Sequence, residues 1–159
     1  MSLTIRPAAP ADVPLILSLI RGLAEFEKLL HEVEATDEKL LRTLFPTNGL
    51  AAAECRLAFS GAEPAGMAIF FTNYSTFLAQ PGLHLEDLFV IPEFRGRGIG
   101  KALLLDLARL ANERGCGRME WTVLDWNAPA IAFYESIGAV RKTEWQICRL
   151  SGPALERYR

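Results

Sequence analysis

Short runs of β-forming residues alternate along this chain with stretches in which apolar residues recur every three or four positions, and these two periods predict its elements. Leu3-Thr4-Ile5-Arg6 reads as a short strand. Asp12 is placed to cap a helix whose apolar stripe is Val13, Ile16, Leu17, Ile20, Leu23 and Ala24. Thr36 or Asp37 can cap a second, shorter helix through Leu44, which Pro46 and the Asn48-Gly49 turn signal end. Arg56 to Phe59 reads as a strand and Glu63-Pro64 as a turn. Gly66 to Tyr74 and Leu83 to Ile91 read as two more strands, the second apolar on both faces as a central strand is. These three strands predict an antiparallel meander. A glycine-rich turn at Gly96 to Gly100 then opens a strongly periodic helix with Leu103, Leu104, Leu107, Leu110 and Ala111 on its buried face, ended by Gly115 and Gly117. Met119 to Leu124 is the next strand. Asn127 can cap a helix from Ala128 to Ser136, with Pro129 in its first turn and Gly138 past its end, and Trp145 to Leu150 predicts a final strand.

The order β-α-α-β-β-β-α-β-α-β predicts an α/β fold with a mixed, mostly antiparallel central sheet flanked by helices. The 159 residues, 50% hydrophobic and 23% charged, suit one domain over 1–159, with no repeat and no linker. A net charge of -2 supplies no general positive field, so neither nucleic acid nor an anionic membrane surface is an expected partner. No apolar run approaches a bilayer span, and the first residues lack a signal peptide's pattern, so a cytoplasmic location is the expectation. Cys55, Cys116 and Cys148 form no CxxC pair, and with only His31 and His84 to help them they predict no metal site and no disulfide; all three read as buried, inert thiols. No serine sits in a GxSxG elbow.

The glycine-rich segment carries the chemistry. A phosphate loop of the Walker type needs glycine where Arg95 stands and Ser or Thr where Ala102 stands, and the third glycine of a dinucleotide fingerprint would fall on Lys101. What survives is Arg95-Gly96-Arg97-Gly98-Ile99-Gly100, a strand-to-helix turn whose glycines let backbone amides converge beneath the positive end of the new helix. Three alternate glycines with basic residues between them favour a pyrophosphate site over a purely structural turn. The next signal is Glu86-Asp87, neighbours on a strand and therefore expected on opposite faces, so that at least one is buried. A buried carboxylate without a partner is raised in pKa and suits a base that takes a proton from an ammonium; the alternative is an ion pair with an arginine such as Arg6 or Arg118. Tyr134 lies two turns into the helix that Asn127 begins, either as a proton donor or as a core aromatic beside Phe133.

In this order the residues resemble the GNAT superfamily of N-acetyltransferases, whose acetyl-CoA loop has the form Arg/Gln-x-x-Gly-x-Gly/Ala, matched by Arg95, Gly98 and Gly100. The likeness covers nearly the whole chain and implies the acyl-CoA N-acyltransferase fold. Leu85-Glu86-Asp87-Leu88-Phe89-Val90 and Val123-Leu124-Asp125-Trp126-Asn127 look like the diamine (spermidine/spermine) acetyltransferase group, including its thialysine-acetylating branch; Phe26-Glu27 and Tyr74-Ser75-Thr76-Phe77 extend the likeness.

The resemblance implies a homodimer that uses acetyl-CoA and no metal. It makes Glu86 the base, directly or through water, and Tyr134 the acid that protonates the departing thiolate. Acetyl-CoA would lie along Leu88, Phe89 and Val90, over Arg95, Gly96, Arg97, Gly98, Ile99, Gly100 and Lys101, with Asn127, Ala130 and Tyr134 beside it. The amine would sit among Phe26, Glu27, Glu86, Asp87, Glu120, Trp121 and Thr122. Acids at such a site attract a cation and take its proton, while strand amides near Leu88 to Val90, freed where the strand splays from its neighbour, would stabilise an oxyanion. Phe26-Glu27 and Ser75-Thr76-Phe77 depart from the polyamine-specific pattern and favour a shorter amine. Two alternatives stand beside this: a peptide or protein N-acetyltransferase of the same fold, and a non-catalytic acyl-CoA-binding module.

Overall fold

A computed structural model describes residues 2–159. The chain forms two compact units, one up to Thr122 and one from Val123 to Arg159. The first holds a five-stranded sheet in the order β1 (Leu3–Pro7), β2 (Glu54–Ser60), β3 (Glu63–Ser75), β4 (Gln80–Val90) and β5 (Arg118–Trp121). Neighbours run antiparallel from β1 to β4, so the predicted meander is present, and β5 pairs parallel to β4. The turn between β2 and β3 falls on Gly61-Ala62, where Gly61 takes φ +62°, and Glu63-Pro64 already belongs to the strand.

Helices α1 (Val13–Phe26) and α2 (Asp37–Leu44) cover one face of the sheet, α3 (Ile99–Glu113) the other. On the first face Ile16 and Leu19 of α1 and Leu44 of α2 form a buried cluster with Cys55, Leu57, Met67, Ile69 and Phe89. On the second, Gly66, Leu88 and Val90 lie under Leu103 and Gly100 of α3, whose other buried residues include Leu104, Leu107 and Ala111. Two glycines permit close approach. A Cβ at Gly22 would lie 2.9 Å from the Phe89 ring, and one at Gly66 would lie 2.5 Å from the Phe89 carbonyl oxygen.

Caps follow the sequence in part. The Lys39 amide donates to Thr36 Oγ1 at 3.2 Å, so Thr36 caps α2. Asp12 precedes α1 but does not cap it: its carboxylate accepts two bonds from Arg6, at 2.7 and 2.9 Å, and one from the Ala9 amide at 2.7 Å. The Arg6 guanidinium holds this carboxyl down at about 2.

The second unit contains α4 (Ala128–Ser136) and a short α5 (Pro153–Glu156). The expected strand over Trp145–Leu150 is not formed. Its β-branched and aromatic residues suit a strand, but a strand needs a ladder, and the other elements of its own unit are helices. The strand expected to reach Leu124 ends at Trp121. The cysteines also differ from expectation: Cys55 is buried and its thiol is pushed up to about 12 by burial, whereas Cys116 is half-buried and Cys148 exposed. Among the described residues no helix is long and apolar enough to cross a membrane.

Candidate functional site

The pairing of β3 with β4 builds the acidic part of the site. Phe70 stands opposite Leu85 and Ile69 opposite Asp87, so Glu86 is an extra residue with nothing across from it on β3. Such a bulge breaks the alternation of side chains and re-aims them. Upstream of it Leu85 shares the α3 face with Phe70; downstream Asp87 and Phe89 share the α1 face with Ile69 and Met67. Counting on from Leu85 sets Glu86 on the α1 face, where it lies near His84, and counting back from Phe89 sets Asp87 on that face too. The expectation of opposite faces is thereby corrected, because it assumed an unbroken strand.

Glu27, directly after α1, faces the same acids. Burial pushes its carboxyl up. Asp87 is pushed up to about 6, by burial first and then by the negative charges of Glu86 and Glu27. The two arginines expected as alternative partners for these acids are engaged elsewhere: Arg6 holds Asp12, and Arg118 Nε holds Glu120 at 2.8 Å. Of the adjacent pair, Asp87 is thus the sequestered acid and Glu86 the exposed one, its side chain 58% accessible and 3.8 Å from His84 Nε2. His84, which sequence reading passed over, stacks on Phe71 with centroids 4.9 Å apart. Its position two residues before Glu86 on a strand was the available signal.

Glu120 lies across from His84 in the parallel pairing, on the acid-bearing face. Trp121 lies across from Leu85 and so belongs to the α3 face, away from the acids, while Thr122 follows the end of β5 and is exposed. Pairing between β4 and β5 stops at Leu85 and Trp121. From Glu86 to Val90 the β5 side of β4 therefore carries no ladder, the separation needed to leave strand amides for a substrate carbonyl.

Past β4, a 3-10 turn over Pro92–Phe94 leads to the glycine loop. Gly96 and Gly98 take φ +75° and +78°, and a Cβ at either would meet no atom within 4 Å, so the loop presents open backbone. Gly98 is the N-cap of α3, and the Ala102 amide makes the helix's first bond to its carbonyl at 2.9 Å. The amides of Ile99, Gly100 and Lys101 precede that bond and face outward at the positive end of a 15-residue helix. Gly100 has another role: a Cβ there would touch Leu88 and Val90 at 3.6 Å, ordinary contact, which agrees with the resembled motif's allowance of alanine. Arg97 lies over the Phe94 ring at 5.2 Å and Lys101 is exposed. Arg95 is not free in the loop: its Nε donates to the Val90 carbonyl at 2.9 Å, and its guanidinium lies over Phe26 at 4.8 Å and Phe89 at 5.6 Å. An open amide cradle flanked by cations fits the diphosphate of acetyl-CoA.

In the second unit Asn127 caps α4, its Oδ1 accepting from the Ala130 amide at 3.4 Å. Tyr134 packs against Phe133 with centroids 5.5 Å apart, and burial pushes its phenol up, so it holds its proton at neutral pH. Among the described residues no three His, Cys, Asp or Glu side chains are grouped as metal ligands.

The acetyltransferase (GNAT) family profile matches residues 21–139. A thialysine N-epsilon-acetyltransferase of Caenorhabditis elegans is 40% identical over 94% of this chain and 92% of its own. An L-ornithine N5-acetyltransferase of Arabidopsis thaliana is 35% identical over 96% of this chain and 86% of its own. Among solved structures, an integron cassette protein from V. cholerae superposes with a TM-score of 0.79 at 25% identity, covering 99% of this chain and 98% of that one. A soil-metagenome aminoglycoside acetyltransferase bound to sisomicin shares the fold, with a TM-score of 0.75 at 19% identity over 94% of this chain and 95% of that one.

Proposed function

We propose that this chain, which belongs to the acetyltransferase (GNAT) family, transfers acetyl from acetyl-CoA to the primary amine of a small cationic acceptor such as a diamine or a lysine analogue. One observation carries the reading: the bulge at Glu86 sets Glu86 and Asp87 on the face of Glu27, in the same strand that runs into the glycine loop. Negative charge there concentrates an ammonium, and the same groups accept the proton it must lose before its nitrogen can attack.

In this mechanism Glu86 takes that proton, directly or through water, and the amine nitrogen bonds to the thioester carbonyl carbon. The oxyanion is held by amides of β4 beyond Leu85. As the C–S bond breaks, the phenol of Tyr134 passes its proton to the thiolate. The loop from Gly96 to Lys101 holds the diphosphate, and Asn127 assists on the cofactor side. The same proposal takes the working form as a homodimer.

Glu86→Gln is the test. Turnover at neutral pH falls about a hundredfold and partly recovers as pH rises and the amine arrives neutral; an unchanged rate removes Glu86 as the base. A second reading, favoured by the raised pKa of Asp87, gives Asp87 the proton instead. In that case Asp87→Asn, and not Glu86→Gln, produces the pH-dependent loss.

A further inference from the structure

The acceptor side of the site depends on where α1 ends, because Glu27 follows its last residue. That end is held in an unusual way. Lys28 adopts φ +62°, a left-handed conformation that a side chain disfavours, and the Leu29 amide closes the turn on the Ala24 carbonyl at 2.8 Å. The backbone therefore leaves the helix through a conformation that lysine disfavours, closed by this bond, so side chains packed on the same turn add to its hold.

The side chain at that point is Phe26, and what lies on it is the first residue of the cofactor loop. The Arg95 guanidinium sits 4.8 Å from the centre of the Phe26 ring and 5.6 Å from that of Phe89. Its Nε donates to Val90 at 2.9 Å, which fixes the plane of the group. Phe89 in turn fits against Gly22, one turn earlier on α1, where any Cβ would collide with the ring. Two contacts on α1, one at Gly22 and one at Phe26, thus converge on the strand end from which the loop departs.

We propose that Arg95 is a positioning residue for the acceptor: it braces the Phe26-Glu27 end of α1 against the cofactor loop, and so sets affinity for the amine more than affinity for acetyl-CoA. This rests on the acceptor-site reading given above. It differs from a role as a phosphate ligand in what the guanidinium touches, namely the Phe26 and Phe89 rings and, through Nε, the Val90 carbonyl. Lysine would keep the charge but lose the planar stacking on the rings and the fixed Nε hydrogen bond.

The test compares Arg95→Lys, Phe26→Leu and the double variant with the wild type. Acetyl-CoA affinity is measured by calorimetry, the Michaelis constants for L-ornithine, thialysine and putrescine by thiol release, and exchange of the backbone amides of residues 24–29 by mass spectrometry. Each single variant is expected to raise the amine KM about three- to tenfold, to leave the acetyl-CoA Kd within about twofold, and to speed exchange at residues 27–29; the double variant is no worse than either single one. A tenfold loss of acetyl-CoA affinity with unchanged amine KM overturns the proposal in favour of a phosphate ligand. Effects of the two single changes that multiply overturn it as well, since a shared contact can be lost only once. A wild type that acetylates none of these amines overturns the acceptor-site reading and this inference together. An active wild type whose Arg95→Lys variant keeps its amine KM and exchange rates overturns this inference alone.

Discussion

Replacing Asp87 by asparagine removes the most strongly perturbed carboxyl of the site at nearly constant volume. Asp87 titrates at about 6 in the fold, against an ordinary value near 4. The folded state therefore binds a proton over a range where the unfolded chain has released it, and stability falls as pH rises through that window. Above pH 6 the ionised Asp87 sits partly buried beside Glu86 and Glu27 at a cost of up to about 3 kcal/mol, the equivalent of the whole displacement. Partial solvent access lowers the working figure to about 1–2 kcal/mol. Asp87→Asn is thus expected to be more stable than the wild type by that amount at pH 8, and equal to it near pH 3.5, where both side chains are neutral. Urea titrations at the two pH values measure the difference directly, and the melting point at pH 8 should rise by about 2–4 °C per kcal/mol. Activity toward amines should drop in the same variant, because the charge that destabilises the fold is the one that attracts the substrate. A variant no more stable at pH 8 than the wild type, or one whose gain is undiminished at pH 3.5, would refute the assignment of Asp87 as a sequestered acid.

Two further outcomes follow from the glycines. Gly98→Val should abolish acetyl-CoA binding by calorimetry, because a side chain there fills the cradle and valine disfavours φ +78°, while the far-ultraviolet circular dichroism stays native because the side chain meets no other atom of the fold. Gly66→Ala should leave the cofactor loop intact yet cost about 1–3 kcal/mol in urea unfolding, because its Cβ would collide with the Phe89 carbonyl of the neighbouring strand.

Much of this architecture is legible in local pattern. The stripe from Val13 to Ala24, the periodic helix after the loop and the Thr36 and Asn127 caps are set by residues close in sequence, and the structure carries them where the periods place them. The glycine loop is equally local, since left-handed backbone at Gly96 and Gly98 needs no distant partner. The acidic cluster is different. Whether Glu86 and Asp87 share a face depends on the register of β4 against β3, and one residue of slip between Ile69 and Phe70 decides it. Arg95 reads as a loop cation until a phenylalanine 69 positions earlier is brought beneath it. Trp145 to Leu150 has a strand's composition, but ladder partners are a property of the fold and not of the segment.

The most direct measurement is acetyl-CoA-dependent release of free thiol with thialysine, lysine, L-ornithine, putrescine, spermidine and a peptide bearing a free N-terminus, each tested alone. Turnover of one or more of the small amines, faster than of spermidine or the peptide, is the predicted result. Binding of acetyl-CoA without turnover of any small amine, or turnover of the peptide alone, would contradict the assignment of Glu27, Glu86 and Asp87 as a small-cation site.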